Sequence, residues 1–257
     1  MIPRIIHQFW GGSPLPDELR NMSHTWKIHH PEWTYRWWDE ASAYPHLGKL
    51  ADLWDRASEI VPADAVWQFR SDLLRWSLLW QYGGVWADVD STCQRPLDEL
   101  LTRPIVVGWE IQDQWVGTSV VATTPRHPVV REILDITTTT ALRARPGTRP
   151  NRISGPKAVT APLLRRRRTH GDVRILDEHA RIRLVVGVPT GAPVLGDAET
   201  ETGRDYFLTH GALSLLSRSN DNGDVAGALE DARRGALGAR TDALQGRAIV
   251  GIAARNH

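Results

Sequence analysis

From residue 2 to residue 10 the chain reads IPRIIHQFW, a β-branched and aromatic run closed by Gly11, Gly12, Ser13 and Pro14. That pattern predicts a strand followed by a loop. The stretch 15–30 opens on Pro16 with Asp17 and Glu18 and is stopped by Pro31, as a helix is started and ended. A second strand is expected at 33–38 (WTYRWW), then helical segments at 40–44 and 47–59. After Pro62, the residues Val66, Phe69, Leu73, Trp76 and Trp80 recur at threes and fours, which marks the buried stripe of a long helix. Gly83 and Gly84 end it with the residue type of a left-handed cap. Val85, Trp86 and Ala87 then form a short buried strand into Asp88, Val89 and Asp90, and strand alternation would put both aspartates on one side. Further strands are expected at 104–110, 114–122, 173–176, 184–188 and 206–209, and helices at 127–142 and 154–168.

The 257 residues suffice for one α/β domain with a sizeable core, or one with a small appendage. An apolar fraction of 41% and a charged fraction of 24% exclude wholesale disorder. A formal charge of +1 makes no electrostatic case for nucleic acid or a membrane. No stretch approaches about 20 apolar residues, so no transmembrane span is expected. Pro3, Arg4 and His7 break the N-terminal apolar run, unlike a signal peptide, and a cytoplasmic location is the expectation. The lone Cys93 excludes an internal disulfide and a thiolate metal cluster. All twelve tryptophans lie between Trp10 and Trp115, so the aromatic residues are concentrated in the first half. Beyond about Asn220 the composition shifts to Ala, Gly and Arg, which suggests a catalytic domain over 1–219 and a helical or flexible extension over 220–257.

Of the polar groups, Asp88 and Asp90 stand out. Two carboxylates one residue apart at a strand end suit a hard divalent cation, Mn²⁺ or Mg²⁺, with positions left for phosphate, although Asp-X-Asp also occurs on solvated loops. Asp72 and Arg75, three apart on the long helix, share a face. They are either a surface pair or, among so many Trp and Leu residues, a buried pair that must satisfy each other. Trp10 ends a strand at a glycine pair, where open α/β sheets bind ligands; it is a base-stacking residue or a tryptophan of the core rim. His24, His29 and His30 have no partner at metal-motif spacing and read as a solvated face. Arg165 to Arg168 read as a solvated helix end.

Five segments taken together, IPRIIHQFWGG, HPEWTYRWWDE, SDLLR, YGGVWADVD and SGPKAVT, resemble the DXD-containing glycosyltransferases of family 32, densely from Ile2 to Leu101 and thinly beyond. The resemblance implies a GT-A fold with a Rossmann-like mixed sheet flanked by helices. It also implies a divalent metal, a nucleotide-sugar donor (UDP- or GDP-hexose), a hydroxyl acceptor and transfer with retention. By position, Trp10 would stack on the base, Asp72 and Arg75 would bind the transferred sugar, and Asp88 would meet ribose and sugar. Asp90 would ligate the metal, with His210 completing its shell. Gly84, Gly155 and Pro156 would line the donor and acceptor sides. Without an anchor, a bacterial cytoplasmic enzyme is expected, acting on a glycan, lipid-linked or natural-product acceptor. Two other classes use similar residues: a metal-dependent phosphoryl hydrolase, and a carbohydrate-binding protein whose tryptophans stack on sugars without turnover.

Overall fold

A computed structural model describes residues 1–111, 113–176, 182–184 and 207–209. The strands are β1 (Ile5–Phe9), β2 (Thr34–Trp38), β3 (Gly84–Ala87), β4 (Ser91–Cys93), β5 (Ile105–Ile111), β6 (Trp115–Thr123), β7 (Val173–Leu176), β8 (Ile182–Leu184) and β9 (Phe207–Thr209). The helices are α1 (Asp17–His29), α2 (Glu40–Ala43), α3 (Ala51–Asp55), α4 (Ala57–Ile60), α5 (Val66–Tyr82), α6 (Pro128–Arg143) and α7 (Pro156–His170). The main sheet runs β2-β1-β3-β6-β5-β7 and a small second sheet runs β4-β9-β8. β1 is parallel to β2 and β3, β6 is antiparallel to β3 and β5, and β5 is parallel to β7. The sheet is therefore mixed, as expected, and β1, β2, β3 and β5 all end on the same edge. None of the described helices is long and apolar enough to cross a membrane.

Strand alternation divides the core in two. Ile6, Val85 and Ala87 pack toward Trp26 of α1, while Phe9, Trp38 and Trp86 pack with α5. The expected stripe on α5 proves to be part of a wider buried surface, because every residue from Ser71 to Leu79 is buried. A helix covered all round must satisfy its polar side chains internally. A single 3-10 turn, Ala63–Ala65, intervenes after Pro62, so α5 starts at Val66. Residues 98–100 form a turn.

The histidine face also differs from expectation. His30 is buried; its Nδ1 donates to the Trp26 carbonyl at 3.0 Å and its Nε2 accepts from the Leu97 amide at 3.0 Å. It ties α1 to the loop after β4, a structural task. In the arginine run, Arg166 pairs with Asp172 and Arg165 with Glu132. Of the strand expected at 184–188 only Leu184, the last residue of β8, lies within the described residues. His210 and the extension expected at 220–257 lie outside the described residues.

Candidate functional site

Asp72 lies in the middle of α5 and is 3% exposed, as is Arg75 one turn on. The guanidinium bridges two carboxylates: Nη1 donates to Asp72 Oδ1 at 2.6 Å and Nη2 to Asp88 Oδ1 at 2.8 Å. Asp72 Oδ2 accepts from Ser154 Oγ at 2.7 Å. Asp88 Oδ1 also accepts from Trp86 Nε1 at 2.8 Å, and the Trp86 ring lies beneath the guanidinium, 5.2 Å from Arg75 Cζ to the centroid. The result is a chain Ser154–Asp72–Arg75–Asp88–Trp86 in which each charge is paired, as burial requires. Arg75 Nε is buried and unpartnered.

The backbone of Asp88 is equally fixed. Its amide donates to the Ser119 carbonyl of β6 at 2.8 Å, and its own carbonyl accepts from the Ser91 amide at 3.0 Å. That second bond closes a turn over 88–91, so β3 ends at Ala87 and a turn, not strand alternation, relates Asp88 to Asp90. Between them Val89 is fully buried with Leu19 and Met22 of α1, and Trp10 and Leu15 pack against this cluster. Asp90 is buried too, at 4% exposure.

Trp10 follows β1 at the same sheet edge and donates from Nε1 to the Ser13 carbonyl at 2.7 Å. It borders a cavity of about 610 Å³ with Arg20, His24 and Lys27 of α1 on one wall and Tyr35, Trp37 and Asp39 of β2 and its end on another. Gly155 and Pro156 open α7 directly after Ser154, so they border the carboxylate cluster through that serine. Gly84 is not brought there. It begins β3, at the opposite end of the strand from Asp88, with φ +89°, and any Cβ would lie 2.6 Å from the Ile5 carbonyl oxygen. Its role is the close approach of β3 to β1. Gly83 has φ 62° and ψ −150°, so the helix end uses positive φ without the left-handed cap expected.

The electrostatics follow from burial. Asp72 is raised above its ordinary pKa, first by desolvation and then by Asp88, with Arg75 and the Ser154 hydrogen bond opposing. For Arg75, burial acts against the charge, but Asp88 and Asp72 outweigh it and the net direction is upward. The guanidinium is therefore a fixed positive charge between two carboxylates. Glu110, at the end of β5, is raised by the surrounding protein and by the like charges of Asp72 and Asp88, with Arg75 opposing, even though its side chain reaches solvent.

Among the described residues no group of three or more His, Cys, Asp or Glu is arranged to hold a metal. The donor set at the turn is the carboxylate pair Asp88 and Asp90. That fits Mn²⁺ or Mg²⁺ held by one or two carboxylates with water and phosphate oxygens filling the other positions.

Two site residues were missed by sequence reasoning. In the sequence Ser154 only marks the start of an expected helix; that it reaches Asp72 depends on how α7 docks on α5. Glu110 ends a predicted strand, the same argument that singled out Asp88, and could have been found that way.

Residues 16–106 match the family described as glycosyltransferase sugar-binding region containing DXD motif. Inositol phosphoceramide mannosyltransferase 1 of Schizosaccharomyces pombe is 24% identical over 136 residues, 52% of this chain and 42% of that protein. Mannosyl phosphorylinositol ceramide synthase SUR1 of Saccharomyces cerevisiae is 28% identical over 132 residues, 50% of this chain and 32% of that protein. The chain thus spans less than half the length of these relatives. Among solved structures, PaToxG glycosyltransferase superposes with a TM-score of 0.51 at 19% identity, covering 64% of this chain and 69% of that one. At that identity the likeness is one of fold, and the fold is of the GT-A type.

Proposed function

We propose, from the match of residues 16–106 to the family of glycosyltransferase sugar-binding regions containing a DXD motif, that this chain moves a hexose from a nucleotide-diphosphate sugar to a hydroxyl acceptor. The observation that carries this reading is the Arg75 guanidinium held between Asp72 and Asp88 at the carboxyl edge of the sheet, where α/β sheets bind ligands. Because both carboxylates are anchored before any ligand arrives, their geometry is preorganised.

In this reading Trp10 stacks on the nucleobase. The cavity it borders supports that role, since it joins aromatic faces with Arg20, His24 and Lys27, a surface matched to a planar, anionic ligand. Asp72 and Arg75 orient the transferred sugar, and Asp88 accepts from ribose and sugar hydroxyls. Asp88 and Asp90 would hold Mn²⁺ or Mg²⁺, which when bound supplies Lewis-acid neutralisation of the diphosphate. His210 is proposed as a further ligand because it follows Thr209, whose strand partner is Ser91, the residue after Asp90. Among the described residues Asp72 and Asp88 are held by Arg75 and so are poorly placed to attack the sugar, which supports a front-face transfer with retention, the acceptor proton passing to the departing diphosphate as the new C1–O bond forms. The names of the yeast relatives favour mannose, so GDP-mannose is the first donor to test, with UDP-glucose beside it.

Calorimetry with both donors, with and without Mn²⁺, tests the reading. Metal-dependent binding that is lost in Trp10→Ala and Asp90→Ala is expected, with about 1–3 kcal/mol of the Trp10 loss assigned to base stacking. Metal-independent binding of free sugars would indicate a binding module instead, and wild-type transfer by Asp72→Ala or Asp90→Ala proteins would overturn the catalytic assignment.

A further inference from the structure

Glu110 occupies an irregular point of β5. Trp109 pairs with Val116 and Ile111 with Trp115, so two residues advance on β5 for one on β6, and Glu110 is the extra residue of a β-bulge. Bulges of this kind re-aim a side chain and are over-represented beside active sites. On β6 the neighbouring position is Gly117, where a Cβ would stand 3.5 Å from the Glu110 Cβ; with glycine there, the space beside the carboxylate stays open. Glu110 is exposed, and among the described residues it makes no hydrogen bond or ion pair.

Gly117 lies two residues along β6 from Ser119, whose carbonyl accepts from the Asp88 amide, so Glu110 stands near the turn that carries Asp88. Asp72 and Arg75 act on the Glu110 carboxyl from α5 and Asp88 from the turn after β3, while Lys157 of α7 is held over the Trp115 ring, 5.5 Å from its centroid. A free carboxylate in this position attracts hydroxyl and ammonium donors and repels phosphate, which calls for arginine, lysine or backbone N–H groups. Asp72 and Asp88 are already engaged in part by Arg75, Ser154 and Trp86. Glu110 is not, so its hydrogen-bonding capacity remains for a substrate.

We propose that Glu110 is the acceptor-binding residue of this site: its carboxylate accepts a hydrogen bond from the hydroxyl that attacks the sugar, and the acceptor group that enters beside it is an uncharged polyol. This rests on the glycosyl-transfer reading above and adds which residue selects the acceptor and what chemistry it selects.

The test uses the full chain with Mn²⁺ and whichever of GDP-mannose or UDP-glucose binds. Donor affinity is measured by calorimetry, donor hydrolysis as transfer to water, and transfer to methyl α-mannoside, myo-inositol and mannose 6-phosphate as probes. Glu110→Ala is expected to leave donor affinity within about twofold. Transfer to the neutral polyols should fall on the order of 10- to 100-fold, the scale of a hydrogen bond to a charged group, chiefly through acceptor KM. Glu110→Gln, which keeps one accepting oxygen, should recover part of the loss, and mannose 6-phosphate should be the poorest acceptor of the wild type. Wild-type transfer by Glu110→Ala, loss of donor binding along with transfer, preference for mannose 6-phosphate, or transfer to no neutral polyol would each overturn the assignment. A wild-type chain that binds neither donor would instead overturn the glycosyl-transfer reading itself.

Discussion

His7 predicts a specific loss of stability in mild acid. It lies in the middle of β1 with no solvent exposure, its Nε2 donating to the Gly83 carbonyl at 3.0 Å and its Nδ1 accepting from Trp38 Nε1 at 3.2 Å. The neutral ring satisfies both partners. A second proton, on Nδ1, would face an indole N–H that cannot accept it. Burial lowers the pKa from 6.5 to about 4, with Arg36 and His46 acting in the same sense and the Gly83 hydrogen bond opposing. At about 1.4 kcal/mol per pH unit the full difference is worth about 3 kcal/mol. The sign follows from proton counting: above 6.5 neither state binds the proton, and below 6.5 the unfolded chain takes it up while the folded chain does not. Stability therefore falls as pH drops from 6.5 and levels off near 4, with about 2 kcal/mol already lost at pH 5. Urea unfolding of wild type and His7→Gln at pH 7 and pH 5 isolates this contribution, since His30 and His127, which are also lowered, are present in both proteins. The wild type should lose about 2 kcal/mol more than the variant between the two pH values. Parallel profiles would refute the reasoning.

Two substitutions probe the scaffold of the site. Ser154→Ala removes the donor to Asp72 Oδ2 in a fully buried place and should cost about 1.5–3 kcal/mol in denaturant unfolding; an unchanged midpoint would mean that Asp72 is satisfied otherwise. Gly84→Ala adds backbone strain of about 1–3 kcal/mol to a clash with the Ile5 carbonyl, whereas Gly147→Ala has φ +82° but open space around it. Gly84→Ala should therefore melt well below Gly147→Ala, and equal melting temperatures would contradict the close packing of β3 on β1.

How much of this was legible in the sequence depended on whether the signal was local. Periodicity found α5, β1, β2 and the β5–β6 pair because each carries its own pattern of apolar residues. The Asp72–Arg75 pair was visible because three residues along a helix fix a shared face, and Asp88 because a strand end is readable. What escaped was set by docking. Ser154 reaches Asp72 across 82 positions, His30 meets Leu97 across 67, and no local pattern encodes either contact. Gly84 was misplaced for the converse reason: adjacency to Asp88 in sequence suggested adjacency in the site, but four extended residues carried it to the far edge of the sheet. The bulge at Glu110 depends on a register slip between two strands, which hydropathy cannot show.

Val89, between the two aspartates, has a consequence of its own. Because its side chain is seated under α1 with Leu19 and Met22, it works as a peg that fixes the pitch of the turn, and the two carboxylates are held apart by a hydrophobic fastening, not by each other. The spacer of the motif is thereby coupled to α1, whose Arg20, His24 and Lys27 wall the cavity beside Trp10. A shift of that helix would be felt at once by the aspartate pair and by the cavity, so the two halves of the site share one mechanical support.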